Sequence, residues 1–367
     1  MRRKLRMLIA VLTLLLCPAV FADAESLLIV SDLHLTASGD HDAMLDAICS
    51  EAPGHDAVLL LGDAANSGRP AEHQRFRAFL ERLRAEGQPQ VFVLPGNHDL
   101  SGGFSALDFA GYYDDYGYAQ AFSRDASTAS YAVRTAGSVC LLMLDTNGYD
   151  EQAQTAYHGR VHPSTLGWLE EVLSGLPEDM PLVVCGHYPI LPFTGSGNDD
   201  VTNAEALGQL LNRHSARLYL CGHRHSNYTL YTNGLRQITV GTPFSWPAWA
   251  GVLETGQDGF DYRVQPLYPE GSPEYTRLRE EALSLGRRMA SGSLTGTSYE
   301  GDAEAMAWFM RVYTASLDGD LPLQRETLLS DENCEKWRKA EVCSMVKPWI
   351  LSLLENPQED VRCIHIP

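Results

Sequence analysis

Basic residues are the scarce class in this chain of 367 residues: 28 Lys and Arg stand against 47 Asp and Glu, a formal net charge of −19. Gripping polymeric nucleic acid by its phosphates needs a basic footprint, so that class of partner is excluded, although a local pocket for one small phosphate is not. Long apolar runs are missing too. The most extended, residues 7–16, is broken by Thr13 and followed by Pro18, and it falls short of the roughly 18 residues a membrane span needs. Eight cysteines do not make the dense framework of a small disulfide-stapled domain. Repeats and low-complexity tracts are lacking. With 44% hydrophobic and 20% charged residues, a folded chain of two domains is expected.

Arg2, Arg3, Lys4 and Arg6 precede the apolar run, and Ala19-Val20-Phe21-Ala22-Asp23-Ala24 follows it with small residues. This is the layout of a secretory signal peptide, assigned to residues 1–22. A secreted or extracytoplasmic protein is expected, acidic and without a membrane span once the signal is cleaved. Cys140, Cys185 and Cys221 lie in apolar strand-like runs and read as small buried residues. Cys334, Cys343 and Cys363 offer one disulfide. If Cys334 and Cys343 share a helix they face apart, which favours pairing either with Cys363.

One arrangement recurs between residues 27 and 243. Short apolar runs, each ended by a polar group, read as strands buried on both faces. The endings are Asp32-Leu33-His34, Gly62-Asp63, Gly96-Asn97-His98-Asp99, Asp145, Gly186-His187, Gly222-His223-Arg224-His225 and Gly241-Thr242-Pro243. Helical patterns lie between them at 42–51, 72–86, 164–174 and 203–215, the last with Asn203 as its N-cap. Alternation of strands and helices predicts an α/β architecture, whose ligand sites gather at the carboxyl ends of strands. The pattern changes after Pro269. Residues 273–290, 302–317, 331–347 and 349–355 read as helices. The organisation is therefore a signal peptide, a catalytic domain over 25–268, and an all-helical domain over 271–367.

Carboxylates and imidazoles at the strand ends are ligands for first-row transition metals. No thiolate belongs to the set, so a structural zinc site is not indicated. Asp32 and His34 are two apart on one extended stretch, which points both to the same side; His223 and His225 share that spacing. Two such clips and a bridging carboxylate would hold two cations. Elsewhere the bland reading prevails. Asp145, His41, His55, His73, His158, His162 and His214 read as turn or cap residues, and the aromatic-rich stretch 104–122 as packing. Trp308, Trp337 and Trp349 read as the core of the helical domain.

The blocks D-x-H, G-D, G-N-H-D, a later His, and G-H-x-H, in that order over 26–268, resemble the calcineurin-like metallophosphoesterase superfamily. The resemblance implies a two-sheet β-sandwich flanked by helices and a dinuclear site for two divalent or mixed-valence ions of Fe, Mn or Zn. Asp32, His34, Asp63 and His225 would bind one ion, and Asp63, Asn97, His187 and His223 the other, with Asp63 bridging. His98 would serve as general acid or stabilise phosphoryl charge, and Asp99 would orient it. The implied reaction is in-line attack of a metal-bound hydroxide on a small phosphoester. His34 in place of glycine, and Asn66 in place of tyrosine, set the chain apart from purple acid phosphatases. The segment 62–68 looks more like class III cyclic-nucleotide phosphodiesterases, some exported members of which carry a helical C-terminal domain. An exported phosphodiesterase is the first reading. A phosphomonoesterase or 5′-nucleotidase is the alternative within the chemistry, and a catalytically silent binding protein the alternative outside it.

Overall fold

Apolar runs fold as strands that divide their side chains between two layers. The computed structural model describes residues 24–137, 139–150, 155–191, 201–256, 258–342, 345–355 and 359–367. The proposed signal peptide and Cys343 lie outside the described residues. Strands β1 (Ser26–Val30), β2 (Ala57–Leu61) and β3 (Gln90–Leu94) pair in parallel. The chain then forms β4 (Ser123–Arg124), β5 (Tyr131–Arg134), β6 (Cys140–Met143) and a hairpin, β7 (Asn147–Asp150) with β8 (Thr155–Gly159). After these come β9 (Leu182–Cys185), β10 (Leu218–Cys221), β11 (Tyr228–Thr232), β12 (Leu235–Thr239), β13 (Trp249–Gly256) and β14 (Gly259–Pro266).

Two mixed sheets result. One has the order β14-β13-β1-β2-β3, extended at its β14 edge as described below, and the other β11-β12-β10-β9-β6-β5-β4. The period of two along a strand decides which side chain faces which layer. In β6, Leu141 and Met143 join the core between the sheets, while Cys140 and Leu142 face the helices outside. Leu218 and Leu220 of β10 face inward in the same way, and Tyr219 and Cys221 outward. Helices α1 (Asp42–Glu51) and α2 (Pro70–Glu86) add Ile48, Phe76, Phe79, Leu80 and Leu83 to the large core. One turn of helix, α3 (Asn97–Leu100), follows β3, and α4 (Ala106–Tyr112) comes next. Helices α5 (Pro163–Gly175) and α6 (Ala204–Arg213) cover the second sheet. Tyr113, Tyr116 and Tyr118 are fully buried in the core, whereas Phe122 at the end of the aromatic stretch is exposed.

Beyond Pro269 the chain forms α7 (Pro273–Leu294), α8 (Ala303–Leu317), α9 (Leu321–Ser330), α10 (Glu332–Lys339) and α11 (Val346–Glu355). Their core is built on Trp308, Trp337, Phe309, Ile350 and Leu354, with Trp349 packed against it, and it reaches the second sheet through Tyr228 of β11. Four expectations change. The region is not all-helical, because β15 (Cys363–Ile366) returns to pair antiparallel with β14, burying Ile364 and Ile366 and exposing Cys363 and His365. The helix expected over 331–347 ends at Lys339, where Ala340 turns extended, and a new helix begins with Pro348 in its first turn, a position where the missing N–H costs nothing. Cys334 and Cys363 do not pair: both are free, one inside the helical core and one on an exposed strand face. Asn203 stands at the head of α6 without capping it, since its side chain brackets Val161 by accepting from the amide and donating to the carbonyl.

Candidate active site

The polar residues converge where β1, β2, β3, β9 and β10 end, but not by continuing the strands. Asp32, His34, Asp63, His223 and His225 all have left-handed backbones, with φ of 56°, 45°, 52°, 69° and 52°. Such conformations are uncommon for non-glycine residues and persist only where the surroundings fix them. Here the loops after β1 and β2 are stitched together, Asp32 N–H donating to the Gly62 carbonyl at 3.0 Å and His34 N–H to that of Asp63 at 2.9 Å.

Two groups of donors form. In one, His225 Nε2 lies 3.3 Å from Asp32 Oδ1 and 3.0 Å from His34 Nε2. In the other, His187 Nε2 lies 3.2 Å from Asp63 Oδ2, 3.2 Å from Asn97 Oδ1 and 3.3 Å from His223 Nδ1. His223 and His225 therefore separate into different groups, contrary to the same-side expectation from their spacing. The left-handed residues turn the chain where an extended strand would have carried it straight on.

Asp63 joins the groups. Its Oδ1 accepts from the His98 amide at 2.8 Å, which leaves Oδ2 between His187 Nε2 at 3.2 Å and His34 Nε2 at 3.8 Å. The donors fit a pair of cations. Ligand bonds of about 2.0–2.2 Å put neighbouring donors about 3.0–3.4 Å apart, close to the spacings in each group. Potential ligand atoms lie within 4.8 Å of one another among Asp32, His34 and His225, and separately among Asp63, His187 and His223. Asp32 and Asp63 are buried, and buried charges need a counter-charge.

The electrostatics suit ligation. Burial opposes ionisation of Asp32, but the His225 hydrogen bond and the His187 charge hold its pKa below the usual range. Burial likewise opposes Asp63, and His187 and His34 hold it down. Burial pushes His34 down to about 4, and burial with the His187 charge pushes His223 down to about 3. Both rings are thus neutral, the form in which imidazole ligates. His187 goes the other way: burial opposes its charge, but Asp63 raises it to about 9. Its Nδ1–H donates to the Leu61 carbonyl at 2.8 Å, which aims Nε2 at the other donors.

His98 is half-buried beside the first group, its ring 4.6 Å from that of His34. Its Nδ1–H donates to the Asn66 carbonyl at 2.6 Å, which leaves Nε2 as the free ring nitrogen. His98 also falls within 4.8 Å of His34 and Asp63 as a potential ligand. The orienting role expected of Asp99 is not seen. Its carboxylate accepts from the amides of Ala65, at 2.7 Å, and Gly96, at 2.8 Å, and so pins the loops after β2 and β3. Burial and the Asp63 charge push Asp99 up to about 7.

Sequence reasoning missed the aromatic backing of the site. Phe244 touches His34 and His225, and Tyr188 touches His187 and His223. Tyr188 adjoins a candidate ligand and could have been found that way. Phe244 carries no local signal.

Comparison with known proteins fits this geometry. The family model for calcineurin-like phosphoesterases matches residues 26–227. The chain is 22% identical over 258 residues to a 3′,5′-cyclic-nucleotide phosphodiesterase of Nostoc sp., covering 66% of this chain and 88% of that one. It is 30% identical over 204 residues to the 3′,5′-cyclic adenosine monophosphate phosphodiesterase CpdA of Escherichia coli, covering 54% and 65%. It is 29% identical over 190 residues to the glycerophosphodiester phosphodiesterase GpdQ of Enterobacter lignolyticus, covering 51% and 61%. The chain thus matches less than two thirds of the length of the last two. Among solved structures, a dimetal phosphatase from Danio rerio shares the fold, with a TM-score of 0.53 at 15% identity, covering 66% of this chain and 96% of that one.

Proposed function

This chain belongs to the calcineurin-like phosphoesterase family, and we propose from that premise that it hydrolyses a small phosphodiester, a cyclic nucleotide being the first candidate. The observation that carries the proposal is the place of Asp63, whose Oδ2 faces donors of both groups. Hydrolysis of phosphoric esters is the family chemistry; preference for a diester is supported by relatives named as cyclic-nucleotide and glycerophosphodiester phosphodiesterases.

Asp32, His34, Asp63 and His225 would hold one ion, and Asp63, Asn97, His187 and His223 the other. Such a pair, when bound, supplies an acidified water and neutralises phosphoryl charge. The protein does the rest. The Leu61 carbonyl keeps His187 in the tautomer that presents Nε2. Asn97 offers a neutral oxygen, which adds no repulsion toward an anionic ester. The Asn66 carbonyl holds the proton of His98 on Nδ1, so a second proton, on Nε2, is the one delivered to the leaving oxygen.

Export forms part of the proposal and rests on the composition of residues 1–22. The test of the activity is turnover by the full-length protein, loaded with Mn²⁺, of bis(p-nitrophenyl) phosphate against p-nitrophenyl phosphate, and of 3′,5′-cyclic AMP against AMP. Faster cleavage of the diesters is expected. Faster cleavage of the monoesters would replace the diester reading, and no cleavage of either would refute the proposal.

A further inference from the structure

The donor groups lean on different aromatic rings. Phe244 lies in the loop between β12 and β13 and is half-buried against the large core. Its ring meets His34 edge-on, with centroids 5.7 Å apart and planes at 88°, and His225 likewise, at 5.9 Å and 79°. His41 stacks on it at 5.2 Å and 28°. Two residues earlier, Thr242 Oγ1 donates to the Asp32 carbonyl at 2.8 Å. One loop therefore touches Asp32, His34 and His225. The other group has its own ring: Tyr188 lies 4.1 Å from His223 and 5.3 Å from His187.

The Phe244 loop is fixed from its far side as well. Trp246 Nε1–H donates to Asp318 Oδ1 at 2.9 Å, and its ring meets Tyr275 edge-on at 4.6 Å. Asp318 follows α8 and Tyr275 lies in α7, so the helical region anchors the loop that backs one half of the site.

We infer that Phe244 is a positioning residue for one ion of the pair: its ring holds the His34 and His225 imidazoles in their converging orientation and leaves the His187–His223 half untouched. The inference rests on the dinuclear reading above. The physical reason is rotamer freedom. The His225 side chain is 41% exposed, and it hangs from a left-handed backbone on the open side of the site. Without the Phe244 edge, that ring and His34 must be ordered at the moment of ligation. Groups that orient metal ligands are typically worth about 10- to 100-fold in metal affinity.

The test is Mn²⁺ titration of chelator-stripped full-length protein, read by electron paramagnetic resonance. Phe244→Leu keeps apolar bulk on the core, and Phe244→Tyr keeps the ring; circular dichroism checks that both fold. Two ions are expected for the native protein. Phe244→Leu should weaken one binding step about 10- to 100-fold and leave the other unchanged, and Phe244→Tyr should restore it. The half is identified by combination. Phe244→Leu should add nothing in a His34→Ala/His225→Ala background, where both of its targets are lost, and should still weaken binding in a His187→Ala background. Two steps unchanged by Phe244→Leu, or both weakened alike, would overturn the inference and leave the phosphoesterase reading standing. A native protein that binds no pair of ions would overturn both.

Discussion

Gly96 is where the site depends most directly on the absence of a side chain, and Gly96→Ala measures that dependence. The backbone there is extended, with φ −100° and ψ 177°, so alanine meets no conformational penalty. Space is the constraint. A Cβ on Gly96 would overlap the Asp63 Oδ1 and amide nitrogen and lie 2.8 Å from the Asp63 Cγ. None of these atoms can yield freely, since Asp63 is buried and its Oδ1 accepts from the His98 amide. Displacing the carboxylate forfeits a charge-assisted hydrogen bond, about 1.5–3 kcal/mol, and overpacking adds about 1–3 kcal/mol. A loss of about 2.5–6 kcal/mol follows, a large part of the roughly 5–15 kcal/mol that holds a domain folded. The same displacement moves the oxygen that the two donor groups share, so paired Mn²⁺ binding should fail even in protein that still folds. Gly208 in α6 is the control: a Cβ there meets nothing within 4 Å, and Gly208→Ala should stabilise the fold by about 0.5–1 kcal/mol through helix propensity. Urea unfolding followed by tryptophan fluorescence, with Mn²⁺ titration beside it, reads both variants. A Gly96→Ala protein that loses less than about 1 kcal/mol, on the scale of an ordinary surface change, and still binds two ions would refute the reasoning.

Two further outcomes are expected. His98→Ala should keep both Mn²⁺ ions and slow turnover about 10²- to 10⁴-fold, the usual worth of a general acid; unchanged turnover would refute the role, and loss of an ion would reassign His98 as a ligand beside His34 and Asp63. His73 is a pH reporter for the fold. It is buried with Nδ1 2.9 Å from Tyr113 Oη and Nε2–H donating to the Asp99 carbonyl at 3.0 Å, and burial lowers its pKa. The unfolded chain then binds the proton that the folded one refuses, so the stability from neutral His73 is complete above about pH 6.5 and is lost as pH falls below it. The stability gap between the native protein and His73→Phe, measured by urea unfolding, should narrow from pH 8 to pH 5.5. A gap independent of pH would refute this.

The strand ends were legible because a buried parallel strand is a run of apolar residues and the first polar residue after it must leave the sheet. That rule places Asp32, Asp63, Asn97, His187 and His223 at one face from the sequence alone, and the five blocks in order point to the family. Legibility stopped where backbone atoms or distant residues take over. The partner that orients His98 is the Asn66 carbonyl, a group every residue has and no sequence pattern marks. Asp99 stands next to His98 in the chain, yet its carboxylate goes to the Ala65 and Gly96 amides. The strand β15 is only four residues long, and what makes it a strand is the exposed edge of β14, roughly a hundred residues earlier.

The instructive failure concerns spacing. A separation of two residues places side chains on one face only while the chain stays extended, and Asp32, His34, His223 and His225 all leave the extended region for positive φ. Each turn of this kind is unfavourable for a residue with a Cβ, so glycine would be the easier choice at every one of these positions on backbone grounds. That none of these positions is glycine means the side chain is worth more than the strain. A strand that ran straight would have given one crowded pair of imidazoles on one side. With left-handed backbones at the same spacing, Asp32 and His34 stay in one donor group while His223 and His225 go one to each, and Asp63 joins the two.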